Sequence, residues 1–232
     1  MNKQVLNKLD IKTIIEDNYD IGSIKKIEQI LEGASSECFH IRFVTPENAE
    51  ISYKKSLEMA LKYNEKQNVI DLEYRIKLLD KIKSIKFEMD KFTYRNTHGD
   101  YFISQILCGE KSINAIIDFT SACVHPACWE LIRSYSYADP KCVYGNIDYG
   151  NLKKYIYNYM KYSKLNNYDI KMMPYLYYYQ LAVCDYFSQY YESDNSNKEV
   201  ICYYAHFSTL LCRWFEEHVE ELSNELVEFF YK

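Results

Sequence analysis

At 232 residues with 48% hydrophobic side chains, the chain is long enough for one large domain or two small lobes around a packed core. Its 28 Lys and Arg against 33 Asp and Glu leave a net charge of -5 with no extended basic tract, which speaks against nucleic acid as a partner. Met1 to Asp10 lacks a hydrophobic leader and no window approaches the roughly 18 uninterrupted apolar residues of a membrane span, so the expectation is a cytoplasmic protein with no membrane partner.

The first third reads as mixed. Lys25 to Leu31 and Cys38 to Val44 are short β-favouring runs on either side of the turn-rich stretch Glu32-Gly33-Ala34-Ser35-Ser36-Glu37, which predicts a hairpin. Glu50 to Lys54 reads either as a short strand or as the start of a helix. From Ser56 to Ile85 the apolar residues Leu57, Ala60, Leu61, Leu72, Ile76, Leu79 and Ile82 recur at helical spacing, with a soft break near Asn68.

Two apolar runs follow, Gln105 to Cys108 and Ile113 to Asp118, joined by Gly109-Glu110-Lys111, and predict a second, central hairpin. Beyond Asp118 the pattern turns helical, with Pro126 suited to a first turn. Leu152, Tyr155, Ile156, Tyr159 and Met160 form one stripe, Leu176, Val183 and Phe187 mark another helix, and Lys198 to Phe230 the last. The fold class expected is α+β, with a small mixed part over 1–55 and a mainly helical part over 56–232.

The cysteines at 38, 108, 123, 128, 142, 184, 202 and 212 sit at irregular spacings in a chain too long to need staples, and read as reduced thiols. Cys123, His125 and Cys128 lack the paired spacing of a zinc site and read as residues packing beneath the Asp118 turn. The Tyr175 to Tyr179 cluster reads as core packing rather than a stacking platform.

The chemistry concentrates around the central hairpin. Thr97-His98-Gly99-Asp100 leads into its first strand, Gln105 stands at that strand's start, and Ile116-Ile117-Asp118-Phe119 ends its second. Hairpin closure would bring two carboxylates and an amide to one place. Asp100 would orient a substrate hydroxyl, while Asp118, with the neutral oxygen of Gln105, would hold Mg²⁺ on nucleotide phosphates.

These segments resemble a known family. HGDYFISQIL is similar to the H-G-D-x-x-x-x-N loop of aminoglycoside phosphotransferases and choline-kinase-like enzymes, and AIIDFTSACVHPACWEL to their I-D-F segment and following helix. The likeness runs from about Leu72 onward. It implies a protein-kinase-like fold with a reduced N-terminal nucleotide-binding lobe over 1–55 and a linking helix plus catalytic lobe over 56–232. It also implies ATP or GTP as phosphoryl donor and a small-molecule hydroxyl acceptor.

By the same resemblance Asp100 takes the catalytic position, His98 braces the loop, and Asp118 is the metal aspartate. Gln105 stands where the family has Asn, one methylene longer. Gly33, Ser35 and Ser36 would form the phosphate-covering turn, and Lys54 would reach the phosphates with Glu58 or Glu73 as its partner. The acidic residues of the last helix, Glu216, Glu217, Glu220, Glu221 and Glu225, are most simply a solvated face; in this family such residues take cationic acceptors.

Overall fold

The computed structural model describes residues 45–192 and 197–231. The first expected hairpin, with Gly33, Ser35 and Ser36, lies outside the described residues. Helix α1 (Pro46–Tyr63) starts where Thr45 Oγ1 accepts from the Asn48 amide at 3.3 Å and Pro46 pre-sets the first turn. It stops at Asn64, in the left-handed region at φ 57, whose amide returns to carbonyls of the last turn. Helix α2 (Lys66–Ile82) follows directly.

The helical stretch expected from Ser56 to Ile85 is therefore two helices, broken at Asn64 rather than near Asn68. The strand reading of Glu50 to Lys54 is corrected. Ala49, Tyr53, Ser56 and Ala60 are buried at a helical period, and the 55/56 boundary falls inside α1. Lys54 is exposed and bonds Glu50 one turn back at 2.7 Å.

Four short strands come next: β1 (Tyr94–Thr97), β2 (Ile106–Cys108), β3 (Ile113–Ile116) and β4 (Cys123–Pro126). They form two antiparallel pairs, β2 with β3 as expected, and β1 with β4. The remainder is α3 (Ala127–Ala138), α4 (Tyr149–Met160), α5 (Asn167–Ala182), α6 (Tyr186–Glu192) and α7 (Lys198–Tyr231). The class is α+β. Among the described residues no helix is long and apolar enough to cross a membrane, and every cysteine is unbridged.

Helices α5 and α7 run antiparallel, since Ser223 bonds the Lys171 carbonyl at 2.7 Å near one end while Tyr178 stacks on Phe215 farther along. At the other end of α5, helices α1, α2, α5 and α7 meet on one side chain. Arg75 of α2 is fully buried, and its Nε donates to Thr209 at 2.8 Å and its Nη2 to Ser208 at 2.5 Å. Its Nη1 donates to the Leu181 carbonyl at 2.7 Å and to the Tyr53 hydroxyl at 3.0 Å. Tyr53 is buried too, and its hydroxyl lies 2.6 Å from the Cys184 carbonyl.

The N-terminus of α5 anchors the strands. Asn166 and Asp169 form a capping box, and buried Asp169 Oδ1 also accepts from the Thr93 amide at 2.8 Å, just before β1.

Arg75→Met removes the charge but leaves two hydroxyls, a phenol and the α5 carbonyls buried without their donor. The expected loss is about 3–5 kcal/mol of unfolding free energy, read by urea denaturation. Tyr53→Phe, which deletes one hydroxyl, should cost about 1–3 kcal/mol.

Candidate functional site

Two nested ladders build the site. In the outer one Thr97 faces Cys123 and Tyr94 faces Pro126; in the inner one Ile106 faces Ile116. The Ile117 amide extends the inner ladder by donating to the Gln105 carbonyl at 2.9 Å. What lies between the ladders on each side, residues 98–102 and 118–122, is thereby pressed together.

Three contacts lock those segments. His98 Nε2 donates to the Ile117 carbonyl at 2.7 Å, which fixes its tautomer, and its ring lies 4.6 Å from that of Phe119. Gly99 adopts φ +80, and a Cβ there would stand 1.9 Å from the Ser121 carbonyl oxygen. Both the backbone conformation and the close approach require glycine. Thr97 Oγ1 donates to the Cys123 carbonyl at 2.9 Å.

Helix α3 clamps the loop from the other side. The carboxylate of Glu130 accepts from the amides of Gly99 at 2.5 Å and His98 at 3.1 Å. Burial pushes the Glu130 carboxyl up, and these two amides and the nearby charge of Arg133 pull it part of the way back. Three residues on, Arg133 Nη2 bonds Asp100 Oδ1, while the guanidinium lies 4.9 Å from the Tyr137 ring centroid. Arg133 is largely buried and, among the described residues, its Nη1 has no hydrogen-bond partner. Burial lowers its pKa, but the surrounding Tyr137 and Asp100 more than compensate and hold the guanidinium charged.

Asp118 occupies the facing turn at φ 62, an αL position an aspartate tolerates, and Thr120 Oγ1 donates to its Oδ1 at 2.6 Å. Its side chain is exposed, whereas Asp100 is half-buried and Gln105 buried at the hairpin entry. The structure thus brings His98, Asp100, Gln105 and Asp118 into one loop–turn assembly. Lys54 lies on the solvent face of α1, where it pairs with Glu50.

Reading the sequence missed β1, β4, Glu130 and Arg133. The region after Asp118, expected to be helical, first forms β4, because Cys123 to Pro126 pairs with a strand nearly thirty residues upstream. The signal for Glu130 was its place in the first turn of the helix opening after Pro126, where an acid is favoured. Among the described residues no three His, Cys, Asp or Glu side chains gather to hold a metal.

The glutamates of α7 are partly committed to packing. Glu216 bonds Lys81 and accepts from Tyr74 at 2.8 Å, and Glu225 accepts from Lys153 at 2.6 Å. Compared with known protein families, curated proteins and solved structures, the chain matches none of them.

His125 of β4 supplies a pH test of this region. Burial lowers its pKa from an ordinary 6.5 to about 4, so between those values the unfolded chain binds a proton that the folded chain does not. Stability should fall as pH drops through that window, by at most about 3 kcal/mol. Glu130, raised by burial, acts with the opposite sign, so the measurement is the difference between wild type and His125→Asn in urea midpoints from pH 7 to pH 4. That difference should shrink on acidification.

Proposed function

We propose that this chain is a protein-kinase-like phosphotransferase that moves the γ-phosphoryl group of ATP or GTP to a hydroxyl of a small molecule. The observation that carries this reading is the locked loop and turn, which hold one carboxylate on each of two adjoining segments while their backbones are immobilised. Phosphoryl transfer asks the protein chiefly for positioning and electrostatics rather than for covalent chemistry.

In this reading Asp100 receives the acceptor's hydroxyl proton and aims its oxygen. The Arg133 contact leaves one carboxylate oxygen of Asp100 for that bond. Asp118 suits Mg²⁺: it is an exposed, hard anionic oxygen donor whose Oδ2 is not committed to Thr120. A single carboxylate is ordinary for this ion, which takes its remaining ligands from phosphates and water and would neutralise charge on the transferring group. Gln105 would add a neutral oxygen. His98 and Glu130 touch no reactant and position the loop that carries Asp100.

A second reading, a binding module without turnover, is favoured by the Arg133–Asp100 pair, because that contact commits the Asp100 carboxylate to a side chain of the fold itself rather than to a reactant. One set of measurements separates the two. Calorimetric titration with Mg²⁺ plus ATP or GTP should give saturable, metal-dependent binding that Asp118→Ala abolishes. Asp100→Asn should leave binding nearly intact and lower γ-phosphoryl transfer, to water or to a hydroxyl acceptor, about 10²-fold or more. Binding with no transfer in wild type, or no binding at millimolar nucleotide, overturns the first reading and selects the second.

A further inference from the structure

Away from the loop–turn site, α2 and α7 bring together a thiol, an imidazole and a carboxylate. Cys202 and His206 lie one turn apart on α7 and so share a face. His206 Nε2 is 3.3 Å from Cys202 Sγ, and His206 Nδ1 is 2.7 Å from Asp71 Oδ2. A carboxylate accepts, so the imidazole proton sits on Nδ1 and the Nε2 lone pair faces the thiol.

The carboxylate is itself held. Asp71 is buried, Gln67 Nε2 donates to its Oδ1 at 3.2 Å, and Arg213 Nη2 lies 3.5 Å from the same oxygen. The imidazole edge and the thiol are only half-buried, open to a small reagent. Asn68 lies nearby, with Glu65, whose carboxylate accepts from the hydroxyls of Tyr190 and Tyr191.

We propose that Cys202 is a nucleophilic site for low-molecular-weight disulfides, with His206 as its base and Asp71 orienting that base. This assignment is independent of the phosphotransferase reading. As Nε2 takes the thiol proton, Sγ attacks one sulfur of the disulfide. The new Sγ–S bond forms as the old S–S bond breaks, and the departing thiolate takes the proton back from the imidazolium. The disulfide is the oxidant, and one half of it leaves as thiol.

Two observations select this chemistry. Burial and the carboxylates of Glu65 and Asp71 push the Cys202 thiol up, so the resting sulfur is protonated and needs a local base; once formed, a thiolate of high pKa is the stronger nucleophile. Acyl transfer would in addition need oxyanion donors. Cys202 lies past the first turn of α7, where backbone amides are spent within the helix, as Ile201 already bonds the Asn197 carbonyl at 3.1 Å. Disulfide exchange places charge on sulfur alone and needs no such donors.

The test uses the full chain with oxidised glutathione, following each cysteine's mixed disulfide by peptide mass spectrometry. Cys108, exposed on β2, is the internal reference. At pH 7 Cys202 should react at least about tenfold faster than Cys108 despite its lower exposure, a modest share of what a positioned base supplies. His206→Gln should remove that advantage and leave Cys108 unchanged. The pH profile of the wild-type Cys202 rate should also carry a limb that His206→Gln removes. A Cys202 rate at or below that of Cys108 in the wild-type protein overturns the proposal without reference to any variant, as does an unchanged Cys202 rate in folded His206→Gln.

Discussion

The helical part of this protein is organised around one buried cation. Placing a guanidinium beyond the reach of water costs several kcal/mol unless its donors are satisfied. Arg75 meets that cost with neutral acceptors: two hydroxyls of α7, the phenol of α1 and the terminal carbonyls of α5. The carbonyls stand at the negative end of the α5 dipole, so the charge is compensated by backbone rather than by a carboxylate. Tyr53 and Phe187 add their ring faces at 5.6 and 5.8 Å from the guanidinium carbon. Omitting any one of these helices would leave the charge underserved, so the cluster favours closing them together and ties α1, α2, α5 and α7 into one cooperative unit.

The candidate site depends on that unit at second hand. Helix α3 supplies Glu130 and Arg133 to the loop from one face, three residues apart. Its other faces are pinned through Ser136 to Tyr177 of α5 at 2.5 Å, Ser134 to Tyr155 of α4 at 2.9 Å, and Tyr137 stacked on Phe207 of α7 at 5.3 Å. The lead into β1 is held separately by Asp169 at the opposite end of α5. The loop bearing Asp100 is thus supported from both ends of one helix, and small shifts of α5 in the core would reach the carboxylate through α3.

What was legible in the sequence follows the range of the forces involved. The β2–β3 hairpin was readable because its turn and both strands lie within a dozen residues. The stripes of α4 and α7 were readable because burial on one helix face repeats locally. The β1–β4 pair was not: Tyr94 to Thr97 is polar, Cys123 to Pro126 is four residues ending in proline, and each becomes a strand only by meeting the other. For the same reason the glycine of the H-G-D motif was recognisable as a pattern, while its cause, the backbone of Ser121 pressed against it, needed the fold. The strand alternative around Lys54 is a different case. A lysine in a short β-favouring window has no local mark separating strand from helix, and the buried period of Ala49, Tyr53, Ser56 and Ala60 decides it through contacts far along the chain.

The setting of the two aspartates bears on the chemistry they could support. Asp118 stands among exposed apolar side chains, with Ile117 39% and Phe119 56% accessible, and Leu107 and Ile113 on the hairpin are open as well. A nucleotide base lying on that surface would gain about 25 cal/mol for each Å² it removes from water, so one open wall returns only part of what an enclosed slot would. Exposed charges also act in high dielectric, where a carboxylate–metal–phosphate arrangement gains less than in a dry cleft. Asp100 differs because Arg133 pairs with it and the Glu130 carboxylate of α3 holds the loop backbone just before it. In the proposed transfer, the orientation of Asp100 is supplied by packing, whereas the strength of the metal and phosphate contacts depends on how much water the bound ligand itself excludes from the Asp118 side.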